Sequence, residues 1–288
     1  MVNFAKLRFF VEKIIVMITF PASKINLGLS ILNRREDNYH NIQTVMYPVE
    51  GLTDVIEILK SDDSGCQFSS SGLIVDCQPH KNLCVKAYEL MRTRYGLGGV
   101  KMHLHKKVPF GAGLGGGSAD AAAVLNGLND LFELHLYAEN LRSLAAELGS
   151  DIPFFIDSQS AVASSRGEVL QPVGLSLAGV NIVIIKPDIF VSTAEAYSGV
   201  IPYVPQIFPS DIVSQPIDCW RDRLVNDFEE SLFVKFPLLR EIKEQLYEMG
   251  AIYASMSGSG SAMFGLFSDD VSIPDCLKNH FIYSGVLG

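Results

Sequence analysis

Apolar and polar residues alternate near the beginning of the chain, between positions 24 and 31. The apolar side of the pattern consists of Ile25, Leu27, Leu29 and Ile31, and the polar side consists of Lys24, Asn26, Gly28 and Ser30. A period of two residues predicts a half-buried β-strand. Further β-rich runs at 39–49, 55–59 and 73–75 predict a strand-rich, antiparallel-looking first part of the chain.

Helical spacing of apolar residues begins further along the chain. In three segments, leucine, alanine and methionine recur three and four positions apart, a spacing that predicts amphipathic helices. These segments are 82–95, 141–148 and 238–249. Gly149 is the expected C-terminal cap of the second of these helices. Apolar runs predict strands at 100–104, 169–173 and 180–185, and a strand–loop–strand unit at 252–267.

A glycine-rich stretch joins the strand predicted at 100–104 to a further helix predicted at 121–134. Its residues are Pro109, Phe110, Gly111, Ala112, Gly113, Leu114, Gly115, Gly116, Gly117, Ser118 and Ala119. Ser118 is a good N-cap and Asp120 falls in the first turn, so we expect the helix to begin just after the glycines. Glycines let the backbone approach a ligand closely, and loop amides together with a helix dipole suit a phosphate.

Three alternatives compete with a dedicated phosphate loop. Gly111, Gly113 and Gly116 spell the dinucleotide fingerprint G-x-G-x-x-G, but no strand ending in an acidic residue follows the helix within the required span. Residues 111–118 imitate a P-loop, yet glycine stands where the phosphate-binding lysine must be. A flexible Gly/Ser linker would lack the apolar order that flanks this stretch.

The composition narrows the classes of function that are open to the chain. The 288 residues, 48% of them hydrophobic, suffice for one large domain or two of ordinary size. A net charge of −9 argues against a nucleic-acid surface and against an anionic membrane as partner. The five cysteines are odd in number and lack C-x-x-C spacing, which argues against disulfides and zinc and favours the cytoplasm.

Residues 1–20 are the part of the sequence most similar to a targeting segment. Lys6 and Arg8 precede an apolar run at 14–18, but Glu12 and Lys13 interrupt the region and the run is too short to span a bilayer. No transmembrane helix is therefore expected. Because Met17 stands just ahead of the first well-patterned strand, we expect residues 1–17 to be an extension from an early start that contributes no chemistry.

Several single residues point to chemistry only when they are considered together. Lys24 and Lys106 could balance the charge of a phosphate, although most lysines are simply solvated. Asp151 follows a helix-ending glycine and precedes a proline, a position more typical of an N-cap than of a catalytic base. His40 alone is more typical of a turn or a core. Taken separately, these residues indicate a protein that binds a phosphate-bearing ligand.

Three separated motifs together resemble those of the GHMP small-molecule kinases. They are the segment Pro21-Ala22-Ser23-Lys24-Ile25-Asn26-Leu27, the glycine loop at 109–118, and the serine–glycine loop at 255–261. Segments 34–40 and 149–155 are similar to the branch that phosphorylates 4-diphosphocytidyl-2-C-methyl-D-erythritol in the non-mevalonate (MEP) route to isoprenoid precursors. Asn38 and Ala119 replace a glycine and a serine that are usual in that branch, and both are mild departures.

The resemblance implies an α+β fold of two domains. Residues 18–166 would form the GHMP N-terminal domain, of the ribosomal protein S5 domain 2 type, which contains the ATP phosphate loop. Residues 167–288 would form the GHMP C-terminal domain, which is ferredoxin-like. The implied reaction is ATP-dependent phosphorylation of the 2-hydroxyl of the acceptor, with Mg²⁺ as cofactor. The implied partner is a small molecule carrying cytidine diphosphate, bound by a cytoplasmic monomer or weak homodimer.

The resemblance also implies roles for individual residues. Lys24 and Asp151 would be the catalytic pair, in which Asp151 accepts the proton of the acceptor hydroxyl. The ATP side would comprise the loop from Pro109 to Ala119, with Asn82 and Lys106 near the adenine and Ser118 as a candidate metal ligand. The acceptor side would comprise Tyr39, His40 and Tyr197 around the cytosine, with Asn26 and Thr193 nearby.

Two alternative functions stay open at this point. Another GHMP kinase, of the homoserine or mevalonate type, would leave Tyr39, His40 and Tyr197 without a purpose. A non-catalytic nucleotide-binding regulator on the same fold is disfavoured because the sequence has both Lys24 and Asp151.

Overall fold

The computed structural model describes residues 6–11, 14–74 and 77–288. By its contacts the chain divides into two compact units, each built from separate segments of sequence. The first unit comprises the residues up to Ser23, Leu52–Phe110 and Gly115–Ser158, and the second comprises Lys24–Gly51, Gly111–Leu114 and Gln159–Gly288. The contiguous domains 18–166 and 167–288 and the extension 1–17 stay predictions, since units that are discontinuous in sequence do not test them.

Strands and helices are mixed along the whole chain. The strands in the described residues are β1 (Lys6–Val11), β2 (Ile14–Thr19), β3 (Ala22–Arg34), β4 (His40–Thr53), β5 (Val55–Ser61), β6 (Cys66–Gly72), β7 (Gly99–Lys106), β8 (Ala161–Ser165), β9 (Val169–Pro172), β10 (Asn181–Ile185), β11 (Tyr253–Met256), β12 (Met263–Phe267) and β13 (Phe281–Val286). The helices are α1 (Leu83–Tyr95), α2 (Gly116–Leu131), α3 (Ala138–Leu148), α4 (Phe154–Asp157), α5 (Thr193–Ser198), α6 (Pro209–Ile212), α7 (Phe228–Lys235), α8 (Pro237–Glu248) and α9 (Asp275–Lys278), with 3-10 turns at Pro79–Lys81 and Ile217–Cys219. This content confirms the predicted α+β class.

The first unit is a five-stranded sheet with helices packed on it. The strand order is β1-β2-β5-β7-β6, and the pairs are antiparallel except β6 with β7. Helix α2 packs against β2, β5 and α1. Met17 pairs with Ile58 in this sheet, and both side chains are buried. A Cβ at Gly127 would lie 3.2 Å from the Ile58 side chain, so α2 lies very close to the sheet.

The second unit contains two four-stranded sheets. Their strand orders are β3-β4-β8-β9 and β11-β12-β10-β13. Helix α8 packs on β11 and β12, and α7 packs on α8. These helices and the sheet share a core of buried apolar side chains, among them Ile185, Phe228, Leu246, Met256 and Met263. Among the described helices of both units, none has the length and apolarity that crossing a bilayer requires.

Strand β3 differs from the prediction of a half-buried strand, which is wrong. Its residues are buried on both faces from Ser23 to Ile31. The predicted polar face is covered by other parts of the chain: a Cβ at Gly28 would lie 2.6 Å from the Leu224 side chain, and the Nζ of Lys24 donates to the carbonyl of Gly113 at 2.8 Å. The edge of the strand is paired as well, because the amide of Leu29 donates to the carbonyl of Val225 at 2.9 Å. Polar residues on this face are therefore interior residues.

Two predicted element ends are also wrong. Helix α2 begins at Gly116 with Gly115 as its N-cap, so Ser118 lies inside the helix and is not its cap. Gly115 adopts a φ of 71°, a conformation in which its carbonyl can already accept the amide of Ala119 at 2.8 Å. The strand predicted at 73–75 is not present at 73–74, because β6 ends at Gly72, and Val75 lies outside the described residues.

Candidate active site

The glycine loop is anchored to the two other motifs within the second unit. Lys24 donates its amide to the carbonyl of Leu114 at 2.9 Å, and Ala262 donates its amide to the carbonyl of Ala112 at 3.1 Å. The hydroxyl of Ser257 donates to the carbonyl of Gly113 at 2.8 Å. The three motifs that are distant in sequence therefore meet at residues 112–114.

Glycine is required in this loop for reasons of space and backbone angle. Gly111, Gly113 and Gly115 have φ values of 64°, 75° and 71°, in the left-handed region that residues with a Cβ rarely adopt. A Cβ at Gly113 would lie 1.8 Å from the carbonyl oxygen of Ser257. Glycine can adopt these angles without strain, and the close approach explains why no larger residue fits at 113.

Lys24 lies directly beside the glycine loop. The residue is only 2% exposed, and its Nζ donates to the side-chain oxygen of Asn26 and, at 2.8 Å, to the carbonyl of Gly113. A buried ammonium is costly unless it is hydrogen-bonded, and here a loop carbonyl supplies part of that bonding. The structure thus brings Lys24, Asn26 and the glycine loop together, as the motif assignment requires.

Asn26 is itself held by a network of neutral groups. Its amide nitrogen Nδ2 donates to the hydroxyl of Thr44 at 3.1 Å, and Thr44 donates to the carbonyl of Gly28 at 2.5 Å. The backbone amide of Asn26 donates to the hydroxyl of Ser257 at 3.2 Å. These bonds fix the orientation of the Asn26 oxygen toward Lys24.

Asn226 and Glu229 support the serine–glycine loop and were not identified from the sequence. Asn226 Nδ2 donates to the carbonyls of Met256 and Gly258, both at 2.8 Å. Glu229 accepts the amide of Met256 at 2.7 Å and the hydroxyl of Ser255 at 3.0 Å. In the sequence, Asn226 is a polar residue just before helix α7 and Glu229 is a polar residue within it. Polar residues at such positions are too common to predict a supporting role.

Aromatic side chains predicted on the acceptor side lie near the turn after β3. The rings of His40 and Tyr197 are stacked, with centroids 4.8 Å apart and an interplanar angle of 14°. Tyr197 also contacts Phe228 edge-on at 4.9 Å. Tyr39 is 56% exposed, and the Arg166 guanidinium lies over its ring at 5.3 Å from the centroid. Thr193 is exposed at the first residue of α5, one turn before Tyr197.

His40 is a neutral ring at neutral pH. Burial and the positive charge of Arg34 both lower the pKa of His40 below its ordinary value. A neutral imidazole has one donor nitrogen and one acceptor nitrogen. This pair of groups suits the edge of a pyrimidine, which also combines donors with acceptors.

Lys106 and Asn82, predicted on the ATP side, lie in the first unit. Lys106 is 3% exposed, and its Nζ donates to Asp54 at 2.5 Å and to Asp120 at 2.7 Å. Asp54 also accepts the amides of Lys107 at 2.6 Å and Val108 at 2.9 Å. Asn82 is the N-cap of α1 and accepts the amide of Cys84 at 2.9 Å.

The ion cluster of Lys106, Asp54 and Asp120 was not predicted from the sequence. Burial raises the pKa of Asp120 to about 7, against the attraction of Lys106. Burial alone would lower the pKa of Lys106, but the carboxylates of Asp120 and Asp54 outweigh it and raise that pKa. Lys106 therefore keeps its positive charge in the interior.

Asp151 and Ser118 also belong to the first unit. Asp151 lies in the turn that follows Gly149, while the N-cap of α4 is Pro153, so Asp151 does not cap that helix. Ser118 is the third residue of α2.

The described residues contain no group of three or more His, Cys, Asp or Glu side chains that could hold a metal ion. A single hydroxyl such as that of Ser118 fits Mg²⁺, which is commonly bound by few protein oxygens together with substrate phosphates.

Comparisons with known proteins agree with the arrangement of the motifs. Residues 82–159 match the GHMP kinases N terminal domain, and residues 213–281 match the GHMP kinases C terminal family. The 4-diphosphocytidyl-2-C-methyl-D-erythritol kinase of Bacteroides fragilis is 48% identical over 259 residues, which cover 89% of this chain and 94% of the relative. The enzyme of the same name from Parabacteroides distasonis is 47% identical and covers 94% of this chain and 100% of the relative.

One solved structure gives the same assignment, and a second shares only the fold. A crystal structure of 4-(cytidine 5'-diphospho)-2C-methyl-D-erythritol kinase superposes with a TM-score of 0.76 at 35% identity, covering 87% of this chain and 90% of that one. The homoserine kinase of Cytophaga hutchinsonii, at 20% identity and a TM-score of 0.61 with 92% and 88% covered, shares the fold. With its three motifs joined at one loop and relatives at nearly half identity over 94% or more of their length, the chain belongs to the GHMP kinase family, among the 4-diphosphocytidyl-2-C-methyl-D-erythritol kinases.

Proposed function

We propose that the chain transfers the γ-phosphoryl group of ATP to the 2-hydroxyl of 4-diphosphocytidyl-2-C-methyl-D-erythritol, a step in the non-mevalonate route to isoprenoid precursors. The observation that carries this proposal is the contact of the Lys24 ammonium with the carbonyl of Gly113. It puts a buried cation at the loop to which we assign the ATP phosphates, where phosphoryl transfer needs charge to be neutralised.

Lys24 and Asp151 are the proposed catalytic residues. Asp151 would accept the proton of the attacking hydroxyl, and Lys24 would orient the reacting groups and offset the negative charge that develops on them. The network through Asn26 and Thr44 supports this role for Lys24, because it fixes one of the ammonium's acceptors. Positioning of this kind lowers the barrier without any covalent intermediate.

The ATP side is assigned to the loop from Pro109 to Ala119 and to its neighbours. The amides of the loop and the N-terminus of the 16-residue helix α2 suit the phosphates. Asn82 and Lys106 stay the candidates for the adenine side. When bound, Mg²⁺ would neutralise phosphate charge, and Ser118 is the candidate protein ligand.

The acceptor side is assigned to Tyr39, His40 and Tyr197, with Asn26 and Thr193 nearby. The existing stack of His40 on Tyr197 supports a site for a flat ring, since a base gains by joining aromatic faces. The neutral His40 would hydrogen-bond the edge of the cytosine.

The five cysteines are free thiols, which supports a reducing compartment such as the cytoplasm. We further propose that the enzyme is a monomer or weak homodimer without nucleic-acid or membrane partners.

The experiment that tests this function is a coupled ADP-release assay with three acceptors. We expect turnover with 4-diphosphocytidyl-2-C-methyl-D-erythritol, and none above background with homoserine or mevalonate. Turnover with only one of the other two acceptors would overturn the proposed substrate. Nucleotide binding without turnover of any acceptor would instead favour a regulator.

The role of Asp151 is tested with Asp151→Asn in the same assay. We expect kcat to fall by about 10²- to 10⁴-fold, because the amide cannot accept a proton, while the Kd for ATP changes by no more than about threefold. Asp157→Asn, a substitution at an aspartate paired with Arg142 in the same unit, is the matched control. Near-normal kcat in Asp151→Asn would remove Asp151 from the mechanism.

A further inference from the structure

The proposed acceptor carries a charge that its assigned residues do not balance. A diphosphate is strongly anionic, whereas Asn26, Tyr39, Thr193 and Tyr197 are uncharged and His40 is kept neutral by its lowered pKa. The net charge of the chain is −9, so the protein as a whole repels anions. Diphosphates in proteins are commonly met by arginine, whose planar guanidinium offers several donors at once. None of these assigned residues supplies a positive charge beside Tyr39, where a further cation would favour the diphosphate.

Arg166 lies in the right place to supply that cation. It follows β8 in the turn that leads to β9, and its guanidinium is 5.3 Å from the centroid of the Tyr39 ring. Its Nε donates to Glu168 at 3.2 Å, but its two terminal nitrogens have no hydrogen-bond partner in the part of the chain that the structure describes. More than half of Tyr39 stays exposed beneath this contact, which leaves ring surface for a base.

The turn that carries Arg166 is rigidly built. Glu168 accepts the amide of Arg166 at 2.8 Å and the hydroxyl of Ser165 at 3.1 Å. Ser165 has a φ of 61° and also accepts a hydrogen bond from Arg35 of the neighbouring turn at 3.2 Å. A residue with a Cβ persists in this region only when its surroundings hold it there. The bonds therefore present the guanidinium to Tyr39 with little freedom left to lose on binding.

The two other arginines near Tyr39 are engaged in different contacts. Arg35 donates to Asp37 at 3.2 Å and to Asn41 at 2.9 Å, in addition to Ser165. Arg34 donates to the side chain of Asn38 at 2.9 Å. We propose, on the basis of the proposed function, that Arg166 binds the diphosphate of the cytidine diphosphate group and so contributes to acceptor specificity.

The test compares ligands that differ only in their phosphates. Binding of cytidine, CMP and CDP is measured by calorimetry for the wild-type protein, Arg166→Gln and Arg166→Lys, with a non-hydrolysable ATP analogue saturating the ATP side. We expect Arg166→Gln to weaken CDP binding by about tenfold, the loss typical of one charged hydrogen bond. Cytidine binding should change less than about twofold, because it has no phosphate to lose. Arg166→Lys should recover part of the CDP affinity.

The matched control is Arg240→Gln. Arg240 lies over the ring of Phe233 at 6.0 Å from the centroid, so this substitution removes the same charge and the same kind of contact elsewhere in the second unit. We expect it to leave the affinity for all three ligands unchanged. In steady-state kinetics, Arg166→Gln should raise the KM of the acceptor about tenfold and leave the KM of ATP unaltered.

The outcomes separate this inference from the proposed function. Equal weakening of cytidine and CDP in Arg166→Gln would mean that Arg166 only packs on Tyr39, and no weakening of either would also overturn the inference. A wild-type protein that binds neither CDP nor cytidine, and that does not turn over the proposed acceptor, would instead overturn the function itself.

Discussion

The two units each contain a buried lysine in a polar cluster, and the two clusters are bonded differently. In the first unit, Lys106 donates to the carboxylates of Asp54 and Asp120. In the second unit, Lys24 donates to the amide oxygen of Asn26 and to the carbonyl of Gly113. Exposure does not distinguish these lysines, at 3% and 2%. Their acceptors do.

The role of a buried cation depends on which groups accept its hydrogen bonds. Two carboxylates compensate the charge of Lys106 inside the fold, so removing that lysine leaves buried negative charge behind. The backbone carbonyl at Lys24 belongs to the loop assigned to phosphates, so removing that lysine changes the potential where the reaction is proposed. We therefore expect substitution of Lys106 to affect stability first and substitution of Lys24 to affect turnover first.

Replacement of Lys24 should give the largest effect. We expect Lys24→Met to lower kcat by about 10³-fold, because a preorganised charge is lost where negative charge develops. The measurement is the ADP-release assay, with urea unfolding as a check that the protein stays folded. Lys278→Met, which removes an exposed charge from the same unit, should keep normal kcat. Equal kcat in the two variants would contradict the distinction drawn between the clusters.

Replacement of Lys106 should be the most destabilising of these substitutions. Lys106→Met leaves Asp54 and Asp120 buried without their cation, so we expect the free energy of unfolding to fall by about 3–5 kcal/mol. Urea unfolding at pH 7 measures this loss. Lys101→Met, at an exposed position of the same strand, should change stability by less than about 0.5 kcal/mol. A loss no larger than that of the control would show that the ion cluster contributes little.

Replacement of Tyr197 should affect binding of only one substrate. We expect Tyr197→Ala to raise the KM of the cytidine substrate about tenfold, because stacking on a base is typically worth about 1–3 kcal/mol, with the KM of ATP changed less than about twofold. Tyr197→Phe keeps the ring and should stay close to the wild type. An equal rise in both KM values would move Tyr197 out of the acceptor site.

Replacement of Asp120 should change the pH dependence of stability. In the unfolded chain this group ionises near pH 3.8, but in the fold burial raises its pKa to about 7. The folded state therefore holds a proton that the unfolded state has released, and the contribution of Asp120 to stability falls as the pH rises from about 4 to about 7. Asp120→Asn cannot ionise and should lack this slope, which is at most about 1.4 kcal/mol per pH unit.

The measurement for Asp120 is urea unfolding at pH 5 and at pH 8. We compare the free energy of unfolding of Asp120→Asn with that of the wild type at each pH. The difference, variant minus wild type, should be more positive at pH 8 than at pH 5. Asp62→Asn, at an exposed position of the same unit, should show the same pH dependence as the wild type. A parallel pH dependence of Asp120→Asn and wild type would mean that Asp120 is ionised throughout this range.

Local patterns predicted most of the elements of the fold. The helices at 83–95, 138–148 and 237–248 lie within two or three residues of their predicted bounds, because each has apolar residues at helical spacing. The left-handed glycines of the phosphate loop were predictable because few other residues adopt that conformation. The loop's family was predictable because three motifs occurred together in order.

Contacts between distant parts of the chain were not predictable from one sequence. The alternation in β3 indicates a solvent-exposed face, yet Leu224 lies against that face at Gly28, nearly 200 positions later. Lys106 meets Asp54 across 52 positions of sequence, and nothing in the local pattern around Asp54 indicates an ion pair. The same holds for Arg166, which meets Tyr39 only because β8 pairs with β4. Such residues become visible only when the sheet order is known.

The division of the chain into interleaved segments has a consequence for synthesis on the ribosome. The last segment of the first unit ends at Ser158, so that unit can fold while the remainder is still being translated. Strands β3 and β4, made much earlier, must wait for β8 and β9 to emerge before their sheet is complete. A ribosome that stalls between these points would hold a complete first unit together with an apolar hairpin of β3 and β4, in which the edge of β4 still lacks its partner strand.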